Sequence, residues 1–71
     1  MKKKINIEGM SCEHCVKHVT NALNDLDQVT NVTVDLKGNS ATIELTDNVS
    51  DGEIKHVLDE AGYDLVSVTD L

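Results

Sequence analysis

The sequence predicts an α+β sandwich of order βαββαβ, with four antiparallel strands and two helices on one face. Three observations carry this expectation. Apolar residues alternate at period two in three short segments and cluster in a fourth at the end of the chain, recur at spacings of three and four in two others, and are separated by glycines and capping residues at the joints. Alternation marks a half-buried strand because successive side chains point to opposite faces. The three-and-four spacing marks a helix because about 3.6 residues complete a turn.

Lys4 to Glu8 sets Ile5 and Ile7 against polar Lys4, Asn6 and Glu8, and Gly9 closes this first strand. From Cys15 the period changes. Cys15, Val16, Val19, Ala22, Leu23 and Leu26 form one apolar stripe, with Lys17, His18, Asn21, Asn24 and Asp25 on the outer face. Ser11 is the expected N-cap of this helix, its hydroxyl accepting from the amide of His14. Val29 to Leu36 alternates again, with Val32, Val34 and Leu36 inward. Lys37-Gly38-Asn39-Ser40 reads as a turn, and Ala41, Ile43 and Leu45 continue the alternation on the second arm of a β-hairpin.

Ser50-Asp51-Gly52-Glu53 matches a capping box, in which Ser50 and Glu53 each serve the other's free amide. Ile54, Val57, Leu58 and Ala61 follow at helical spacing, and Gly62, free to take positive φ, ends the helix. Tyr63 to Thr69 is the last strand, with Leu65, Val66 and Val68 as its apolar residues. Only the sheet is available to bury two helices with one apolar stripe each, so both should pack on one face of it. The result is a ferredoxin-like split βαβ sandwich. No linker, repeat or low-complexity segment interrupts the chain, and residues 1–71 are read as a single domain.

The 71 residues include 13 acidic and 6 basic side chains, a net charge of −7, with no proline and a single aromatic, Tyr63. A chain of this size buries about 60% of its unfolded surface, too little to hold a deep substrate cavity beneath a core. An elaborate enzyme is therefore not expected. The negative charge argues against nucleic acid, whose phosphates must be neutralised by Lys and Arg, and against an anionic membrane surface. A base-stacking sheet of the same βαββαβ order would need aromatics that this chain lacks. Met1-Lys2-Lys3-Lys4 begins like a signal peptide, but Ile5-Asn6-Ile7-Glu8 alternates where an apolar stretch is required. No run approaches the roughly 18 apolar residues of a membrane span. The expectation is a cytoplasmic protein without membrane insertion. There a close cysteine pair points to metal or redox chemistry before a structural disulfide.

Cys12 and Cys15 stand at the junction of the first strand and first helix. Two sulfurs at a helix N-terminus meet unsatisfied amides and the positive end of the helix dipole, which favour thiolate over thiol, at Cys12 in the first place. Three chemistries compete for such a pair. A tetrahedral zinc site needs two further ligands, and neither a second CxxC nor a paired His motif exists; His18 lies on the same helix and His56 is isolated in the second. A thioredoxin-type dithiol belongs in a longer chain with a proline facing the cysteines. A two-thiolate site for a soft ion such as Cu(I) needs nothing beyond what is present. Redox chemistry and a purely structural pair stay open beside it.

The segment Gly9-Met10-Ser11-Cys12-Glu13-His14-Cys15 resembles the GMxCxxC signature of heavy-metal-associated domains, found in bacterial copper chaperones and in N-terminal modules of copper-transporting P-type ATPases. The similarity extends along the chain. The helix after the motif, the strand carrying Val29, Val32, Val34 and Leu36, and the run Ala61-Gly62-Tyr63-Asp64 fall where that family has counterparts. The resemblance implies a cytosolic copper chaperone engaged in ion transport, with no catalytic residue. Cys12 and Cys15 would hold Cu(I), or another soft metal ion, in near-linear geometry on an exposed loop and pass it on by thiolate exchange. The implied recipient is a copper-transporting P-type ATPase or a copper-responsive regulator, and a copper-bridged homodimer is a further expectation. The start at Met1 and end at Leu71 favour a free-standing chaperone over a module of an ATPase. A thiol-redox carrier ranks behind both.

The remaining motif positions are read individually. Met10 could donate a thioether but is better read as packing beneath the loop. Gly9 permits the loop's turn. Zinc- and cadmium-handling relatives commonly carry an acidic residue at the position of Ser11, so the resemblance favours Cu(I) over Zn(II). His14, between the cysteines, is read as solvent-facing rather than as a third ligand. His18 and His56 are read as surface helix residues. Tyr63 is placed by the resemblance next to the metal loop with its hydroxyl near a cysteine sulfur, as in bacterial chaperones, where eukaryotic ones have lysine. One position departs from the family: Gln28 stands where many relatives have Gly, which puts the turn there in question.

Overall fold

In the computed structural model, which describes residues 1–71, the chain runs β1 (Lys2–Glu8), α1 (Glu13–Asn24), β2 (Val29–Asp35), β3 (Ser40–Leu45), α2 (Asp51–Ala61) and β4 (Asp64–Asp70). The strands form one antiparallel sheet of order β2-β3-β1-β4. β3 lies between β1 and β2, and β1 lies between β3 and β4, so each helical crossover passes over one intervening strand. This is the ferredoxin-like arrangement expected from the alternation of periods. Neither helix is long and apolar enough to cross a membrane.

The core is where the strand and helix patterns converge. Ile5 and Ile7 of β1, Ala41, Ile43 and Leu45 of β3, Val19 and Leu23 of α1, and Ile54 and Leu58 of α2 are buried together with Val49, Met10 and Tyr63. β1 begins two residues earlier than its alternation indicated. The inward series consequently includes Lys3, 8% exposed, whose amine reaches the Asp70 carboxylate at 3.2 Å. A lysine tolerates that position because its hydrocarbon stem lies on the core while the charged end escapes to a partner.

Several local expectations are corrected. The N-cap of α1 is Cys12, not Ser11: Cys12 is extended (φ −158°, ψ 173°) and no side chain caps the helix. Its carbonyl accepts from the amides of Cys15 at 3.0 Å and Val16 at 3.4 Å, so the helix starts one residue later than the capping preference suggested. At α2 only half of the capping box forms: the Glu53 amide donates to Ser50 Oγ at 3.2 Å, without the reciprocal bond. The helix ends on Gly62 at φ 93°, and the Tyr63 amide reaches back to the Leu58 carbonyl at 2.9 Å. A Cβ at Gly62 would meet open space, so the backbone angle and not crowding calls for glycine. Gln28 needs no such freedom, since its φ is not positive; its carbonyl accepts from the Thr46 amide at 2.9 Å.

Both edge strands carry an extra residue. Ile5 pairs with Val68 and Ile7 with Leu65, so three β4 residues span what two β1 steps span, and Val66 turns outward, 56% exposed. Val66 was expected among the apolar residues of this strand; the bulge removes it from the core and lets Leu65 and Val68 share the inner face. On β2, Val29 pairs with Leu45 and Asn31 with Glu44, leaving Thr30 as the extra residue, its hydroxyl donating to the Glu44 carbonyl at 3.2 Å. Val29 and Val32, three apart, are thereby both packed against the core.

Leu58→Ala, which empties a fully buried position, is expected to lower the unfolding free energy by about 2–5 kcal/mol. Val66→Ala, on the bulge, should change it by less than about 0.5 kcal/mol. Urea denaturation of the two variants beside the parent measures both.

Candidate metal centre

The loop from Gly9 to Cys12 leaves the end of β1, a strand paired on both sides. Gly9 takes φ 101°, and a Cβ there would lie 3.4 Å from Cδ1 of Tyr63. The backbone angle calls for glycine here, with the tyrosine ring at contact distance beside it. Met10 follows with its side chain in the core, which pins the loop from beneath. Ser11 and Cys12 are then exposed, and Cys15, in the first turn of α1, is half-buried against the core.

This geometry brings Cys12 Sγ and Cys15 Sγ to 3.6 Å, both as free thiols. The gap is well beyond the roughly 2.05 Å of a disulfide, and one soft ion can touch both sulfurs. Ser11 Oγ lies 4.0 Å from Cys15 Sγ, the position it takes instead of capping the helix. No group of three or more His, Cys, Asp or Glu side chains gathers to cage a metal anywhere in the chain. His14 is exposed, and His56 pairs with Glu60 at 3.2 Å on the outer face of α2.

This environment strengthens Cys15 as an acid. The Cys15 thiol is lowered from 9.0 to about 6, chiefly by the Ser11 backbone amide, then by the Tyr63 hydroxyl, with smaller help from the Cys12 thiol and amide against the opposing effect of partial burial. Cys12 is the cap itself and projects outward; Cys15 is the sulfur that the loop amides surround. A partly exposed thiol stabilised by backbone donors is the environment expected of a reactive cysteine.

Tyr63 is buried, and its hydroxyl meets a side chain of α1. His18 Nδ1 lies 3.3 Å away. Hydrogen bonding to Cys15, then burial, then the charges of Cys15 and Cys12 push the phenol up to about 12. It therefore stays protonated and can donate at neutral pH. His18, read from the sequence as a surface residue, is indeed exposed, yet it contacts the one aromatic of the chain. Its offset of three residues from Cys15 puts both on one edge of α1. The other half of the contact comes from 45 residues away and leaves no local pattern.

The heavy-metal-associated domain family matches residues 4–64. Copper chaperone CopZ of Staphylococcus aureus (strain NCTC 8325) is 38% identical over 63 residues, covering 87% of this chain and 93% of that protein. Among solved structures, a CopZ metallochaperone superposes with a TM-score of 0.85 at 36% identity, covering 93% of this chain and 100% of its own. A copper binding domain from HMA7, a P-type ATPase, does so with a TM-score of 0.81 at 28% identity, covering 96% of this chain and 97% of its own. Motif, topology and similarity over most of its length agree: the chain belongs to the heavy-metal-associated domain family.

Proposed function

We propose that this protein is a cytoplasmic copper chaperone that binds one Cu(I) through Cys12 and Cys15 and hands it to a partner by thiolate exchange. The observation that carries the reading is the pair of free sulfurs 3.6 Å apart at the protein surface. Thiolates select soft ions, and Cu(I) accepts few ligands, whereas Zn(II) sites are usually completed to four. Ser11 supplies no carboxylate that would favour a harder ion. A Cys15 thiol lowered to about 6 is already ionised at neutral pH, so binding there need not displace a proton.

Few ligands on an exposed loop also make transfer possible. A cysteine of the partner approaches from the Cys12 side and bonds before Cys15 lets go, so the ion is never released to water. Met10 holds the loop from below, Tyr63 closes its buried side, and His14 stands outside the donor pair. A copper-transporting P-type ATPase or a copper-responsive regulator is the recipient, and the net charge of −7 steers docking toward a basic surface. Two such loops facing each other could share ions in a copper-bridged homodimer. No substrate bond is made or broken, so the activity is carriage and not catalysis. The similarity to the HMA7 domain supports a second reading, a copper-binding module of a transporter. The higher identity to CopZ favours the chaperone.

Anaerobic titration against a competing Cu(I) chelator should show one tightly held equivalent, lost in Cys12→Ser with Cys15→Ser; retention in the double variant would overturn the reading. In metal-free reduced protein, ultraviolet thiolate absorbance should place the Cys15 midpoint at about 6, and Tyr63→Phe should move it upward. The linkage has a definite sign. Because the thiol ionises more easily folded than unfolded, its stabilisation is fully present above 9.0 and is lost as pH falls through about 6. Urea midpoints should accordingly rise across that window, and Cys15→Ser should remove this part of the rise.

A further inference from the structure

Tyr63 touches both sides of the segment that carries the sulfurs. Its backbone is anchored between α2 and β4, where its amide donates to the Leu58 carbonyl at 2.9 Å, and its ring is 7% exposed. Toward β1 the ring lies against Gly9, a Cβ at which would stand 3.4 Å from Cδ1. Toward α1 its hydroxyl meets His18 Nδ1 at 3.3 Å. Gly9 precedes Cys12 by three residues, and His18 follows Cys15 by three. One buried side chain therefore spans the loop and the helix that follows it.

The two sulfurs belong to different sides of this strut. Cys12 caps α1 at the end of the loop and Cys15 lies in the first turn of the helix, so their 3.6 Å separation depends on how the loop meets the helix. Val19 and Leu23 hold α1 to the core, and His18 adds a directional tie to the residue that also lies against Gly9. The tie forms whichever imidazole nitrogen carries the proton. A phenol donates to a bare Nδ1 and accepts from a protonated one.

We propose that His18 is a positioning residue of the cysteine loop: by bonding the Tyr63 hydroxyl it ties the start of α1 to the ring that backs Gly9, and so holds the two sulfurs at the spacing one Cu(I) bridges. The inference rests on the copper-chaperone reading above. Ligands fixed in place before binding lose less freedom on taking the ion, so loss of the tie weakens the site. One hydrogen bond sets the scale, a change of about threefold.

Two measurements test this. In metal-free reduced protein, nitrogen relaxation NMR should show lower backbone order at Gly9, Ser11 and Cys12 in His18→Ala than in the parent, with Gly38 in the β2–β3 turn unchanged. In competition with a Cu(I) chelator, His18→Ala should weaken binding about threefold in the parent and have no effect in a Tyr63→Phe background. His18→Asn should restore both readouts, because its amide lies as many bonds from the backbone as Nδ1 does and can donate or accept. Leu45→Ala, in the core at the far end of β3, should lower stability and leave both readouts unchanged. Loop order untouched by His18→Ala, weakening that persists in the Tyr63→Phe background, His18→Asn no better than His18→Ala, or equal loosening in Leu45→Ala would overturn the proposal. If the parent protein fails to bind Cu(I), the chaperone reading falls, while the relaxation data on metal-free protein still decide whether His18 braces the loop.

Discussion

Ile5 and Ile7 sit on the strand that β3 and β4 both grip, and their side chains meet the apolar stripes of both helices. Burying each contributes about 1.5–3 kcal/mol, a large share for a 71-residue chain whose whole stability is of the order of 5–15 kcal/mol. The loop that carries Cys12 inherits its position from this strand. Two residues after Ile7 the backbone turns at Gly9, and one residue later Met10 returns to the core. The stretch that carries the first sulfur is thus fixed at both ends and exposed only in between.

Holding a reactive sulfur on so small a body requires a compromise between exposure and support. Full burial of Cys15 would push its pKa up and disfavour the thiolate, and full exposure would leave it without donors. Half-burial under the Ser11 amide and beside Tyr63 satisfies both demands. Cys12 takes the outer, exposed position. The two cysteines of one short motif are therefore unequal in exposure: Cys12, the cap of α1, is exposed, and Cys15, one turn in, is half-buried.

That difference marks the boundary of what was legible in the sequence. Element order, the two helical stripes, the hairpin and the close cysteine pair could all be read, because each depends on periodicity or spacing within a few residues. The start of α1 could not: Ser11 is the better capping residue by preference, and only the path imposed by Gly9 and the buried Met10 moves the cap to Cys12. The outward turn of Val66 was illegible for a similar reason, since a bulge is a property of two paired strands and the alternation of one strand alone does not reveal it. Gln28 shows the converse, a departure from the family pattern that the backbone absorbs without a left-handed angle. The His18 to Tyr63 contact joins α1 to the end of α2 and required the fold.

The extra residues at Thr30 and Val66 lie on β2 and β4, the two strands with an unpaired side. A straight edge offers a ready ladder to any other extended chain, and a local kink spoils its register. Both routes by which one molecule could extend the sheet of another are blunted in this way. The proposed carriage, which requires a partner to be met briefly and left again, is served by this, because sticking along the sheet would compete with the short encounter at the loop. The bulges therefore help confine association to the end of the molecule that bears the sulfurs.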